Sequence, residues 1–344
     1  MDDDLFADAA RQVLADHCTP AVVRAIESGG RAAPPAAALW RQLQASGLPD
    51  ALVPEAQGGA GLALAQAFGV LEQCGAHALP LPLADTLLAR GLLAAAGAPW
   101  PDGGIALARA EPLADGSLRC ALVHGGALAT AVLAQTPDGW RLLAVDGAQP
   151  GPQALALDAA LAWSPAQAQA APHIALPPGA QARTLQAAVL AAQMAGALRA
   201  VFQRTLDYAN ERRQFGRPIG KFQAIQHQLA VMSEQVFAAR MAAQIGCAGA
   251  AGGLWPDALR VATAKARCSE AALDVAQAAH AIHGAIGFTA EHDLQLFTRR
   301  LHAWRQAGGS EGYWHAVAGA ALLAAEGPTL DVVRRITDLE ELSD

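Results

Sequence analysis

Tyr208-Ala-Asn-Glu-Arg-Arg-Gln-Phe-Gly-Arg-Pro-Ile-Gly-Lys-Phe-Gln-Ala-Ile-Gln-His227 decides how this chain is organised. The stretch reads as a helix ending in Glu211-Arg212-Arg213, a turn through Gly216, Pro218 and Gly220, and a second helix starting near Phe222. Proline lacks a backbone donor and glycine accepts conformations that other residues avoid, so the break is written into the turn. Beyond it, Ile225, Leu229, Met232 and Val236 recur at helical spacing, which predicts one buried face. Arg212, Arg213, Arg217 and Lys221 therefore crowd one helix–turn–helix corner. Such a cluster is either a solvated surface corner or a phosphate or pyrophosphate site, where guanidinium forks and free helix N–H groups meet an anion.

Working outward, a glycine turn lies about seventy residues downstream in His280-Ala-Ile-His-Gly-Ala-Ile-Gly-Phe-Thr-Ala-Glu-His292. On its own it is as consistent with plain helix packing as with close approach of a ligand to backbone. Upstream, the helical period gives way between about Pro101 and Pro178 to short apolar runs, Leu118 to Val123, Ala127 to Ala134 and Trp140 to Val145. Gly125-Gly126 and Asp138-Gly139 separate them, and such pairs predict hairpins of a small antiparallel sheet.

A chain of 344 residues with 53% hydrophobic content can bury a large core in two or three domains. A net charge of −7 argues against a nucleic-acid partner. No apolar run approaches the roughly 20 residues of a membrane span, and Met1-Asp-Asp-Asp lacks the basic start of a secretion signal, so a cytoplasmic location is expected. The five cysteines are scattered without metal-ligand or redox spacing and are expected to be buried free thiols. The ten histidines are equally dispersed, and no metal site, P-loop or nucleophile elbow is legible.

The 208–227 segment resembles the signature of the acyl-CoA dehydrogenase family, flavoenzymes that oxidise acyl thioesters, and 280–292 is similar to the family's glycine-rich turn, with Ala281 where the family often has Gln and Ala285 in place of a second Gly. Leu39-Trp40, Gly47-Leu48, Leu52-Val53-Pro54-Glu55, Gly58-Gly59-Ala60-Gly61-Leu62 and Leu79-Pro80-Leu81-Pro82 follow the order seen at the start of many members. The resemblance implies an α+β, mostly α fold: an N-terminal helical domain (1–100), a small antiparallel β domain (101–179), a C-terminal four-helix bundle (180–328) and a tail (329–344). It also implies FAD as cofactor and an acyl-CoA thioester as substrate, from fatty acid or steroid side-chain degradation. The implied partners are a homo- or hetero-oligomer with a sibling subunit and an electron-accepting flavoprotein. Carried over by position, Arg212 serves the pyrophosphate of a flavin held mainly by a neighbouring subunit. Gln214 and Phe215 serve the cofactor or the interface holding it, and Gln223, His283 and Gly284 serve the adenosine side.

Two departures from the family bear on function. The Thr-Glu-Pro-like loop and Trp-Ile-Thr-like strand that hold the flavin ring are not found between Pro101 and Pro178. The reaction needs a carboxylate to take the proton alpha to the thioester carbonyl, yet the two positions that carry it in different branches hold Gly308 and Gln186. Glu311 is the nearest substitute; otherwise it is a first-turn residue of a helix, where negative charge suits the dipole. Two readings therefore stand: an FAD-dependent acyl-CoA dehydrogenase forming an alpha,beta double bond as one chain of an oligomer, or a non-catalytic partner that completes the FAD site of a catalytic sibling.

Overall fold

The computed structural model describes residues 2–151, 156–177, 179–249 and 253–337. Five helices come first: α1 (Asp2–His17), α2 (Pro20–Gly29), α3 (Pro34–Ala45), α4 (Phe68–Ala76) and α5 (Leu83–Ala95). The start of α2 is set locally. The Thr19 hydroxyl accepts the Val22 N–H, and Pro20 occupies the first turn, where its missing donor costs nothing.

Eight strands and a short helix follow: β1 (Ile105–Arg109), β2 (Glu111–Pro112), β3 (Leu118–Val123), β4 (Ala131–Thr136), β5 (Gly139–Ala144), β6 (Gln149–Pro150), β7 (Ala159–Trp163), α6 (Pro165–Ala170) and β8 (His173–Ile174). They form two four-stranded sheets, ordered β1-β4-β5-β8 and β2-β3-β7-β6, closed over a small apolar core that includes Ala106, Cys120, Val132 and Trp163. The Asp138-Gly139 hairpin forms as expected, joining β4 to β5 with Thr136 opposite Gly139. The Gly125-Gly126 hairpin does not. β3 pairs with β7 and β4 with β5 and, in parallel, β1, so the glycines carry the chain from one sheet to the other. Gly125 N–H is fixed by Asp158 Oδ1 at 2.9 Å, a partner distant in sequence that outweighs the local turn signal.

The remaining helices are α7 (Ala182–Glu211), α8 (Gln223–Cys247), α9 (Ala258–His283), α10 (Leu294–Gln306), α11 (Glu311–Ala324) and α12 (Thr329–Thr337). Helix α7 is the spine, packed on α4, α8, α9 and α10. By length and composition it is apolar enough to cross a membrane, but 83% of its most apolar window is buried in the fold, which makes it a core helix. Its crossing with α4 is backbone against backbone. A Cβ on Gly196 would lie 1.9 Å from Glu72 O, and one on Gly75 1.8 Å from Gln193 O. The five cysteines are free and buried. The first residues of the tail form α12, where Val332 is buried and Arg335 O accepts from the Arg260 guanidinium at 3.0 Å. Residues 338–344 lie outside the described residues.

Candidate functional site

Helix α7 ends where Arg212 N–H makes the last bond, to Tyr208 O, and Arg212 O turns to accept Ile219 N–H. Between them β9 (Arg213–Gln214) and β10 (Arg217–Pro218) form a miniature hairpin. Its tip is Phe215-Gly216, both left-handed, with φ of +50° and +79°. A left-handed backbone is expected of glycine but is strained for a large side chain, and Phe215 holds it while 92% exposed. The Phe222 ring supports the base of the hairpin, edge-on to Phe215 and under the Arg217 guanidinium at 4.3 Å. Gln214 and Gln223 are exposed, the latter as first residue of α8. Among the described residues no carboxylate pairs with Arg212, Arg213 or Lys221. Three uncompensated cations beside the start of a 25-residue helix make a surface suited to an anion.

The glycine turn is brought to this corner. His283 closes α9, its ring stacks on Tyr208 at 4.4 Å, and Tyr208 OH donates to His283 O. His283 Nδ1 donates to Ala279 O at 2.8 Å, and burial, the largest influence, holds the imidazole below its ordinary pKa. Buried in this way, His283 fixes the shape of the turn. Gly284, with φ +65°, and the exposed Phe288 present its outer surface.

A second region lies between the sheets and the bundle. Gln186 on α7 and Gly308, in the turn from α10 to α11, line one cavity of about 380 Å³, with Glu111, Leu122 and Tyr313 also on its wall. The two base positions, 122 residues apart in sequence, thus meet in space, and neither carries a carboxylate. Gln186 Nε2 donates to Leu107 O at 3.1 Å. Glu311 is held away from a base's work. Burial pushes its carboxyl up, but the hydrogen bond from Arg305 together with nearby Lys265 outweighs this and holds it below the ordinary carboxylate range. Lys265 is fully buried and binds Ser269 Oγ, Arg305 O and Gly309 O, the last at 2.9 Å, which pins the turn in place; burial lowers it to about 8.

One element of the cavity wall escapes the sequence reading. Glu111-Pro112, strand β2, follows Ala110, and this Ala-Glu-Pro run resembles the family's Thr-Glu-Pro-like loop with Ala in the place of Thr. The dipeptide after a buried strand was the available signal. Glu111 is exposed on the cavity wall, the one carboxylate there among the described residues. The neighbouring wall positions Ala121 and Leu122 carry no hydroxyl.

Comparison with known proteins shows the family and the fold. The family described as acyl-CoA dehydrogenase, N-terminal domain, matches residues 1–99, and acyl-CoA dehydrogenase, C-terminal domain, matches residues 182–323. Acyl-CoA dehydrogenase IpdE2 of Mycobacterium tuberculosis is 32% identical over 303 residues, covering 88% of this chain and 91% of that protein. The Tcur3481–Tcur3483 steroid ACAD superposes with a TM-score of 0.78 at 28% identity, over 94% of this chain and 98% of that one. The ChsE4–ChsE5 complex of M. tuberculosis gives the same score at 23% identity, over 94% and 98%, which shows the shared fold.

Proposed function

The chain belongs to the acyl-CoA dehydrogenase family of FAD-dependent oxidoreductases, and on that footing we propose that it is one subunit of an assembled acyl-CoA dehydrogenase whose flavin site and proton-accepting carboxylate are completed by a sibling. The observation that carries this reading is the contrast at the two base positions: Gln186 and Gly308 share one cavity and neither can take a proton. The acyl thioester lies in that cavity. When bound, FAD supplies the acceptor for the hydride leaving the beta carbon. What this chain contributes is orientation and the far side of a neighbour's cofactor site. Arg212, with Lys221 near it, meets the pyrophosphate; Gln214 and Phe215 lie along the cofactor or the interface; Gln223 and the turn at Gly284, backed by His283, take the adenosine side. The unpaired cations and the strained, exposed Phe215 support the assignment, because a bound anion pairs the cations and a packed neighbour offsets the strain at Phe215.

The experiment is flavin content of the assembled protein carrying Arg212→Ala. The reading expects weakened retention, and unchanged content sinks the assignment. A self-sufficient chain is the second reading, favoured by Glu111 on the cavity wall. Turnover by the chain alone, abolished in Glu111→Gln, decides for it.

A further inference from the structure

The cavity at Gln186 and Gly308 carries two guanidiniums that lack an acceptor. Arg109 ends β1, and the parallel ladder sets it opposite Gln135 of β4. Paired residues project to one face of a sheet, and on that face Gln135 holds the start of α7, its Oε1 accepting Ala182 N–H at 2.9 Å. Arg109 therefore rises beside Arg183, the second residue of α7, and both line the cavity. The Arg183 guanidinium lies 4.4 Å from the centre of the Tyr313 ring, and neither arginine has a hydrogen bond or an ion pair among the described residues. Glu111, the one carboxylate on the wall among those residues, is in register with Arg119 across β2 and β3, which offsets its charge and leaves the two cations over.

Arg183 precedes Gln186 by three positions, so the two share a face of α7 with about 5–6 Å between their Cβ atoms. An anion held at Arg183 is thus only a few bonds from a thioester at Gln186. CoA itself cannot supply it, because the pantetheine arm is neutral and keeps the phosphates far from the sulfur. The smaller inner cavity of about 60 Å³, whose wall includes Asp85, His124, Asp158 and Trp304, is a separate space that shares no wall residue with this one. When an acyl chain displaces water from the outer cavity, a guanidinium without an anion is desolvated at a loss. One that meets a carboxylate gains a forked, charge-assisted pair.

We propose that this cavity selects an acyl group that ends in a carboxylate, held by Arg183 and Arg109, so that the substrate class is a short dicarboxylic acid joined to CoA at one end. The inference rests on the reading that this chain takes an acyl-CoA at the Gln186–Gly308 cavity.

The test is calorimetric binding to the full-length protein, alone and in its complex, of succinyl-, glutaryl- and adipyl-CoA against the chain-matched butyryl-, valeryl- and hexanoyl-CoA, with ADP as a phosphate control. The expected result is that at one chain length the dicarboxylic thioester binds about tenfold or more tighter than its neutral match. That margin should shrink in high salt, and Arg109→Gln combined with Arg183→Gln should bring the ratio close to one. Equal binding of the two series by the unaltered protein overturns the proposal whether or not the variant folds, as does a ratio unmoved in the folded double variant. ADP binding that the double variant abolishes, with no preference between the thioesters, overturns it in favour of a phosphate site. If no thioester of either kind binds, the acyl-CoA reading fails and the proposal with it.

Discussion

The corner at Arg212 and the cavity at Gln186 are built on opposite principles. Behind the cavity wall the polar groups are tied inward: Gln186 to Leu107, Glu311 to Arg305, Lys265 to three oxygens. At the corner Arg212, Arg213 and Lys221 lack acidic partners among the described residues, and a strained Phe215 stands in solvent. A region whose groups are mostly tied inward can persist by itself, although Arg305 Nε and Glu311 Oε2 there keep no hydrogen-bond partner among the described residues. A region that keeps uncompensated charge and strain gains most when another molecule covers it. The contrast locates this chain's main contribution on its surface, facing a neighbour, and leaves its interior to shape and orient.

The sharpest way to break the contrast is to untie the interior. Lys265→Met leaves two carbonyls and a hydroxyl without their buried donor, and should lower unfolding free energy by about 3 kcal/mol in urea titration. An unchanged midpoint would mean that the turn at Gly308 is held by something else. Next in size is Arg212→Ala, which removes a charge-assisted contact of roughly 1.5–3 kcal/mol and so should weaken flavin retention in the complex about 10- to 100-fold with stability unchanged. Glu311→Gln should leave turnover of the complex within about twofold, since a general base is worth at least about 10²-fold and Arg305 already occupies this carboxylate. A large loss there would return Glu311 to the role of base.

The acid dependence of stability sharpens the interior side further. Asp85 binds its proton more tightly folded, at about 6, than at its ordinary 3.8. Its contribution is therefore full below about pH 4 and is lost as pH rises through 6; Asp85→Asn should flatten that part of the stability profile. The smallest effect is expected at the hairpin tip. Phe215→Gly relieves a positive φ and should raise stability by about 0.5–1 kcal/mol while flavin retention falls, separating strain kept for contact from strain without purpose.

The sequence makes the corner legible because everything that shapes it is local: Gly216, Pro218 and Gly220 break the helix, and the spacing of Leu229, Met232 and Val236 sets the buried face of the next one. The Gly125-Gly126 pair misleads for the opposite reason, since strand pairing there is decided by Asp158 and β7, more than thirty residues away. Glu111 is hidden by an altered neighbour, Ala110 in place of Thr, although the residue itself is in plain view. The inner cavity is beyond reading from sequence, because Asp85, His124, Asp158 and Trp304 come from four separate elements and loops and carry no spacing that ties them together.

The central claim is that the flavin site is completed across an interface. The most direct measurement is the visible spectrum and solution mass of this chain purified alone, then with its sibling subunit. The account predicts a colourless chain alone and stoichiometric flavin in the complex; stoichiometric flavin in the isolated chain as a monomer would contradict it.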